Sequence, residues 1–96
     1  MRLTQSQIDT ILTTVRSETE STARTILFGS RLNDNMRGGE IDLLVESQRE
    51  LLPMQRAKIK MELEALLGIP VDILTLTNGT LPTAFQRIAL ACGVAL

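Results

Sequence analysis

Two carboxylates one residue apart, Glu40 and Asp42, stand in the segment Gly39-Glu40-Ile41-Asp42-Leu43-Leu44-Val45. In a strand, side chains two positions apart point to the same face, so Glu40 and Asp42 share one side while Ile41 and Leu43 go to the other. In a helix the two acids would lie about 200° apart around the axis and could not converge. The aliphatic run behind them and Gly38-Gly39 in front favour the strand. Like charges held side by side repel. A hard divalent cation such as Mg²⁺ gives them a reason to stay together, because it binds one or two carboxylates and fills its shell with water and phosphate oxygens. The alternative is an acidic strand edge paired with Arg37 or Arg31. A third carboxylate, Asp72, interrupts the run Val71, Ile73, Leu74 much as Asp42 interrupts its own. If the two strands are neighbours the three acids meet; otherwise Asp72 is simply an acid at a strand start.

Upstream, the apolar run Ile26-Leu27-Phe28 stops at Gly29-Ser30. A glycine after a buried strand lets the backbone approach a phosphate, and a helix starting at Ser30 would aim free N–H groups at it. A plain strand-to-helix turn with a serine cap has the same sequence, and it is the acidic pair downstream that tips the pattern toward phosphate. Arg31 suits triphosphate oxygens through its planar fork, or a surface ion pair with Asp34 or Glu40. No Gly-Lys-Ser/Thr follows the segment, which excludes a P-loop. The chain has no histidine, which excludes Ser-His-Asp and Cys-His nucleophiles and histidine zinc sites.

These residues need a scaffold, and the sequence outlines one. Ile8, Ile11, Leu12 and Val15 form the stripe of a first helix that Thr4 or Ser6 caps and that ends near Glu20. Ala23 to Phe28 is strand one, a short helix spans Ser30 to Met36, Arg37 to Gly39 form the return turn, and Glu40 to Val45 is strand two. Leu52, Ile59, Leu63, Leu66 and Leu67 give the stripe of a longer helix, with Pro53 in its first turn and Gly68 at its stop. Val71 to Leu76 is strand three, residues 77–80 form a loop, and Leu81, Phe85, Ile88, Ala89 and Cys92 mark a last helix in which Cys92 is expected to be buried. Arg49, Arg56, Lys58 and Lys60, interleaved with Glu50, Glu62 and Glu64, read as a solvated face of mixed sign. The expected fold class is α/β (α+β), a small mixed sheet flanked by helices.

Ninety-six residues, 44% of them apolar, suffice for one small aliphatic core over residues 1–96, since only Phe28 and Phe85 are aromatic. A net charge of −1 argues against a sequence-independent nucleic-acid binder. The single Cys92 allows no internal disulfide and fits a reducing cytoplasm. No signal peptide and no membrane-spanning run is expected.

Gly29-Ser30-Arg31 followed by Glu40-Ile41-Asp42-Leu43 resembles the signature of the DNA polymerase beta-type nucleotidyltransferases, most closely their smallest members, the minimal nucleotidyltransferases. The one departure is Glu40, where the first acid is usually Asp. The resemblance implies a nucleotidyltransferase fold in which Glu40, Asp42 and Asp72 are catalytic and hold two Mg²⁺ ions, while Gly29, Ser30 and Arg31 bind the phosphates of ATP. It implies transfer of AMP to a hydroxyl, with Asp72 able to take the hydroxyl's proton. Larger relatives append an acceptor-binding domain and this chain is too short to hold one, so the acceptor is expected on another molecule. Minimal nucleotidyltransferases commonly serve as antitoxins beside a helical HEPN ribonuclease toxin, adenylylating a tyrosine, which makes such a toxin the expected partner. Two other functions stay open: a non-catalytic module that silences a partner by covering it, and the catalytic subunit of a small-molecule nucleotidyltransferase. Homo- and hetero-oligomers are both compatible with the sequence.

Overall fold

The computed structural model describes residues 3–32 and 39–96. Its elements, in chain order, are α1 (Gln5–Glu18), β1 (Arg24–Phe28), a 3₁₀ turn (Gly29–Leu32), β2 (Ile41–Ser47), α2 (Pro53–Leu67), β3 (Val71–Thr77), α3 (Ala84–Cys92) and β4 (Val94–Ala95). The strands lie in the order β3-β2-β1-β4. β2 and β3 are parallel, and both pairings of β1 are antiparallel. Parallel neighbours need a crossover, and α2 supplies it.

Alternation along β2 divides the molecule into layers. Ile41, Leu43 and Val45 face one side, where they meet Ile11 and Val15 of α1, Ile59 and Leu63 of α2, and Val71 and Ile73 of β3. Leu44 faces the other side with Ile26, Leu76 and Ala89, joined by the half-buried Phe28, Leu74 and Leu90. Both faces of β2 are therefore covered, which is why its sequence runs almost continuously apolar and Asp42 is conspicuous within it. The faces are covered unequally. The helix pair α1 and α2 spans one side, whereas the nine-residue α3 covers only part of the other. The uncovered part is where the acids lie.

Local signals set the helix ends. Thr4 accepts from the Gln7 N–H at 3.1 Å while the Gln7 side chain accepts from the Thr4 N–H at 2.9 Å, and Thr83 and Gln86 repeat the arrangement at α3. Gln86 also donates to the Thr75 carbonyl at 3.0 Å, tying α3 to β3. Gly68 ends α2 in the left-handed conformation, φ 67°, as expected of a C-terminal stop.

Several sequence expectations need correction. α1 stops at Glu18, two residues early, because the Thr19 hydroxyl turns back to the Val15 carbonyl and Glu20 leaves the helix to accept from the Gln48 N–H. Leu66, Leu81, Phe85 and Ile88, read as stripe residues, are exposed, and so is Cys92. The small α3 buries only Ala89 fully, so most of its apolar side chains lie over an open groove. β4 was not foreseen, being two residues long. It pairs with β1 directly after Gly93, where a Cβ would collide with the Ala89 carbonyl, Ile26 and the Leu27 carbonyl. The expected helix at residues 30–36 begins as the 3₁₀ turn Gly29–Leu32; residues 33–36, with Arg37 and Gly38 of the return turn, lie outside the described residues.

Candidate active site

Sheet register assembles the acids. Asp42 and Asp72 are direct partners on the parallel strands β2 and β3, and both point to the face that α3 leaves partly open. Glu40 precedes β2, two residues before Asp42 and therefore on the same face. The ladder begins between them, where the Ile41 N–H donates to the Pro70 carbonyl at 2.9 Å. One oxygen from each of Glu40, Asp42 and Asp72 lies within 4.8 Å of the other two. The structure thus resolves the alternatives for Asp72, which meets the acidic pair.

The cost of this crowding shows in the acidities. The Glu40 carboxyl is pushed up by its hydrogen bond to Asp72, then by the charges of Asp72 and Asp42. Burial pushes up the half-buried Asp42, with the Asp72 charge adding to it. Lys60, at the middle of α2, works the other way. Its ammonium stands 3.9 Å from Asp72 Oδ1 and 3.2 Å from Glu64 Oε2, and it donates to the Val71 carbonyl. Glu64 Oε2 accepts from the Val71 N–H at 2.9 Å, which holds the Glu64 carboxyl below its usual range. The sequence placed Lys60 with Glu64 only on a solvated face of mixed sign, not at the acidic site. The i, i+4 spacing of Lys60 and Glu64 was the visible signal, but nothing in the sequence connects that pair to Asp72.

Gly29 serves a purpose more specific than a turn. Its φ of 79° is one that side-chain-bearing residues rarely adopt, and a Cβ there would fall 3.2 Å from Asp42 Cγ and closer still to Asp42 Oδ2. The missing side chain leaves room for the carboxylate. Ser30 belongs to the 3₁₀ turn, but its side chain lies outside what the structure describes. Arg31 Nη2 donates to the Gly39 carbonyl at 3.2 Å, which ties the turn after β1 to the residue before Glu40.

The acids border a cleft of about 600 Å³. Gly29, Glu40, Asp42 and Asp72 form its polar side, and Phe28, Leu74, Phe85 and Ile88 its apolar wall. Phe28 and Phe85 meet edge to face, centroids 5.9 Å apart at 78°. Three oxygen donors, partly open to solvent and mutually repelling, fit a hard divalent cation, and no histidine is present to draw a softer one. A charged end next to an aromatic wall can receive a ligand that joins phosphates to a planar ring.

The family described as Polymerase beta, Nucleotidyltransferase matches residues 9–96. None of the curated proteins matches the chain. Among solved structures, one similar chain belongs to a tri-AMPylated Shewanella oneidensis HEPN toxin in complex with MNT antitoxin. It has a TM-score of 0.74 and 21% identity over 95% of this chain and 69% of that one. A second belongs to a mutant of the toxin-antitoxin pair MntA-HpeT, with a TM-score of 0.75 and 22% identity over 97% of this chain and 71% of that one. These similarities establish a shared fold.

Proposed function

The chain belongs to the polymerase beta nucleotidyltransferase family, and from that premise we propose that it transfers AMP from ATP to a hydroxyl of a partner protein, acting as the antitoxin of a toxin-antitoxin pair. The partner is a helical HEPN-type toxin in the cytoplasm, and residues 1–96 are one minimal catalytic domain. The observation that carries the reading is the meeting of Asp42, Asp72 and Glu40 at one side of a cleft large enough for a nucleotide. The fold shared with a chain from a complex of AMPylated HEPN toxin and MNT antitoxin supports the choice of partner and of adenylyl group.

Glu40, Asp42 and Asp72 would hold divalent cations, two Mg²⁺ ions being the set that suits three carboxylates and a triphosphate. When bound, the metal neutralises charge on the attacking and departing oxygens. The remaining work falls to the chain's own residues. The turn at Gly29, Ser30 and Arg31, adjoining Asp42, receives the β- and γ-phosphates. Phe85 and Ile88 flank the base and keep water from one side of it. Asp72, more exposed than Asp42, accepts the proton of the attacking hydroxyl. One bond forms, from the hydroxyl oxygen to the α-phosphorus, and one breaks, from the α-phosphorus to the bridging oxygen of the departing pyrophosphate. Residues 1–96 hold no tyrosine, so a tyrosine acceptor lies outside them, and we place it on the partner.

The test is to incubate the protein with ATP, Mg²⁺ and its copurifying partner and to weigh the partner by intact-mass spectrometry. A gain of one or more AMP units that disappears with Asp42→Asn is the expected result. A partner of constant mass, inhibited equally by wild type and Asp42→Asn, would replace transfer with neutralisation by coverage alone.

A further inference from the structure

One cation stands against the acidic triad that the catalytic reading does not use. Lys60 Nζ reaches three acceptors, Glu64 Oε2 at 3.2 Å, the Val71 carbonyl, and Asp72 Oδ1 at 3.9 Å. Glu64 in turn accepts from the Val71 N–H at 2.9 Å. Two side chains one helical turn apart therefore grip the donor and the acceptor of a single backbone residue, the one immediately before Asp72. Val71 is fully buried and paired with Ile41, the residue between Glu40 and Asp42. Its position consequently sets where Asp72 falls relative to both other acids. Lys60 is also the lysine whose charge acts on Glu40.

We propose that Lys60 is a positioning residue and the resident counter-cation of the acidic triad: with Glu64 it clips Val71 to α2 and so fixes Asp72 opposite Asp42, while its ammonium competes with a divalent cation for Asp72. The proposal rests on the reading of Glu40, Asp42 and Asp72 as metal ligands. It differs from a surface ion pair in its consequence. An ammonium on an ordinary solvated face offsets local charge and nothing more. A positive charge beside a cation site weakens that site, so its removal tightens the ion. Loss of the clip acts in the opposite direction, because a loosened Val71 leaves Asp72 poorly placed. The two halves of the arrangement therefore have opposite signatures.

The experiment uses the whole chain and Mn²⁺ alone as the probe. Calorimetry follows Mn²⁺ affinity, and amide hydrogen exchange on the metal-free protein follows Val71 and Ile41. Lys60→Met removes the charge and the bond to the Val71 carbonyl but keeps the Glu64 bond to the Val71 N–H, and with exchange at Val71 no more than slightly faster than wild type it is expected to raise Mn²⁺ affinity about threefold or more at low salt. Lys60→Arg should stay near wild type. Glu64→Ala should lower Mn²⁺ affinity and speed exchange at Val71 and Ile41. Unchanged affinity in Lys60→Met, or a fall matched by Lys60→Arg, overturns the counter-cation. Unchanged exchange in Glu64→Ala overturns the clip. If no variant binds Mn²⁺, the metal-site reading fails and takes the counter-cation with it, while hydrogen exchange still decides the clip. All three variants alter partly exposed side chains, and coincident circular dichroism spectra establish that they fold.

Discussion

Asp42 and Asp72 are register partners on adjacent parallel strands, so two carboxylates occupy the spacing at which sheets ordinarily place apolar pairs. The pairs that follow in the same ladder, Leu43 with Ile73 and Leu44 with Leu74, are of that ordinary kind. Like charges directly opposite one another on neighbouring strands are destabilising. The site therefore sits at the start of the ladder, where the sheet opens toward the cleft, and the rest of the sheet holds it in place.

Asp42→Asn removes one of the repelling charges. The metal-free protein is expected to melt at the same temperature as wild type or slightly higher, while AMP transfer falls by at least about 100-fold for loss of a metal-binding carboxylate. Differential scanning calorimetry and the mass assay check the two halves. A variant that unfolds instead would show Asp42 to be structural.

Gly29→Ala places a methyl group against the Asp42 carboxylate and forces a left-handed backbone on alanine. The expected cost is about 1–3 kcal/mol of stability, together with weakened divalent-cation binding because Asp42 is displaced. Urea denaturation and Mn²⁺ calorimetry measure both. Wild-type cation affinity would mean that Asp42 moves away without consequence.

Acidity gives a sign that can be worked out in advance. Glu40 and Asp42 have carboxyls raised in the folded protein, so their contribution to stability is complete below the unfolded values and is lost as pH rises through the folded ones. Glu64 is lowered, so its contribution is present above its unfolded value and is lost as pH falls through its folded one. Metal-free melting temperature should therefore peak in the mildly acidic range and decline toward neutrality. Saturating Mg²⁺ or Mn²⁺, which favours ionised carboxylates, should flatten or reverse that decline. Melting curves across pH with and without the ion provide the measurement, and a metal-free optimum at neutral pH would contradict the prediction.

Phe85→Ala removes the exposed half of the edge-to-face pair with Phe28. Because the ring is 59% exposed, the loss of stability should be small, about 1 kcal/mol. ATP affinity should fall about fivefold or more if the ring flanks the base, and affinity for inorganic triphosphate should not change. Equal losses for both ligands would remove Phe85 from base binding and assign it to the shape of the site.

Much of this molecule was decided within a few residues of each feature. The two-residue spacing of Glu40 and Asp42 puts them on one side, Thr4, Thr83 and Gly68 mark helix ends through bonds that reach no further than four residues, and Pro53 opens α2 where its missing N–H costs nothing. Gly29 marked the end of the first strand, and the acidic pair after it pointed to phosphate chemistry. Tertiary structure decided what depends on residues far apart in the chain. Whether Asp72 joins the pair was open in the sequence, since strand order is set by which apolar faces find each other, and here α2 returns β3 beside β2 in the register that makes Asp72 the partner of Asp42. The reason Gly29 must lack a side chain is a carboxylate thirteen positions away, and Lys60 gains its relation to Asp72 only when the crossover closes. The exposure of Phe85, Ile88 and Cys92 has the same origin. A helical stripe fixes which side chains share a face, but only the size of the opposing sheet, measured against a nine-residue helix, determines how much of that face is covered and how much is left as a cleft.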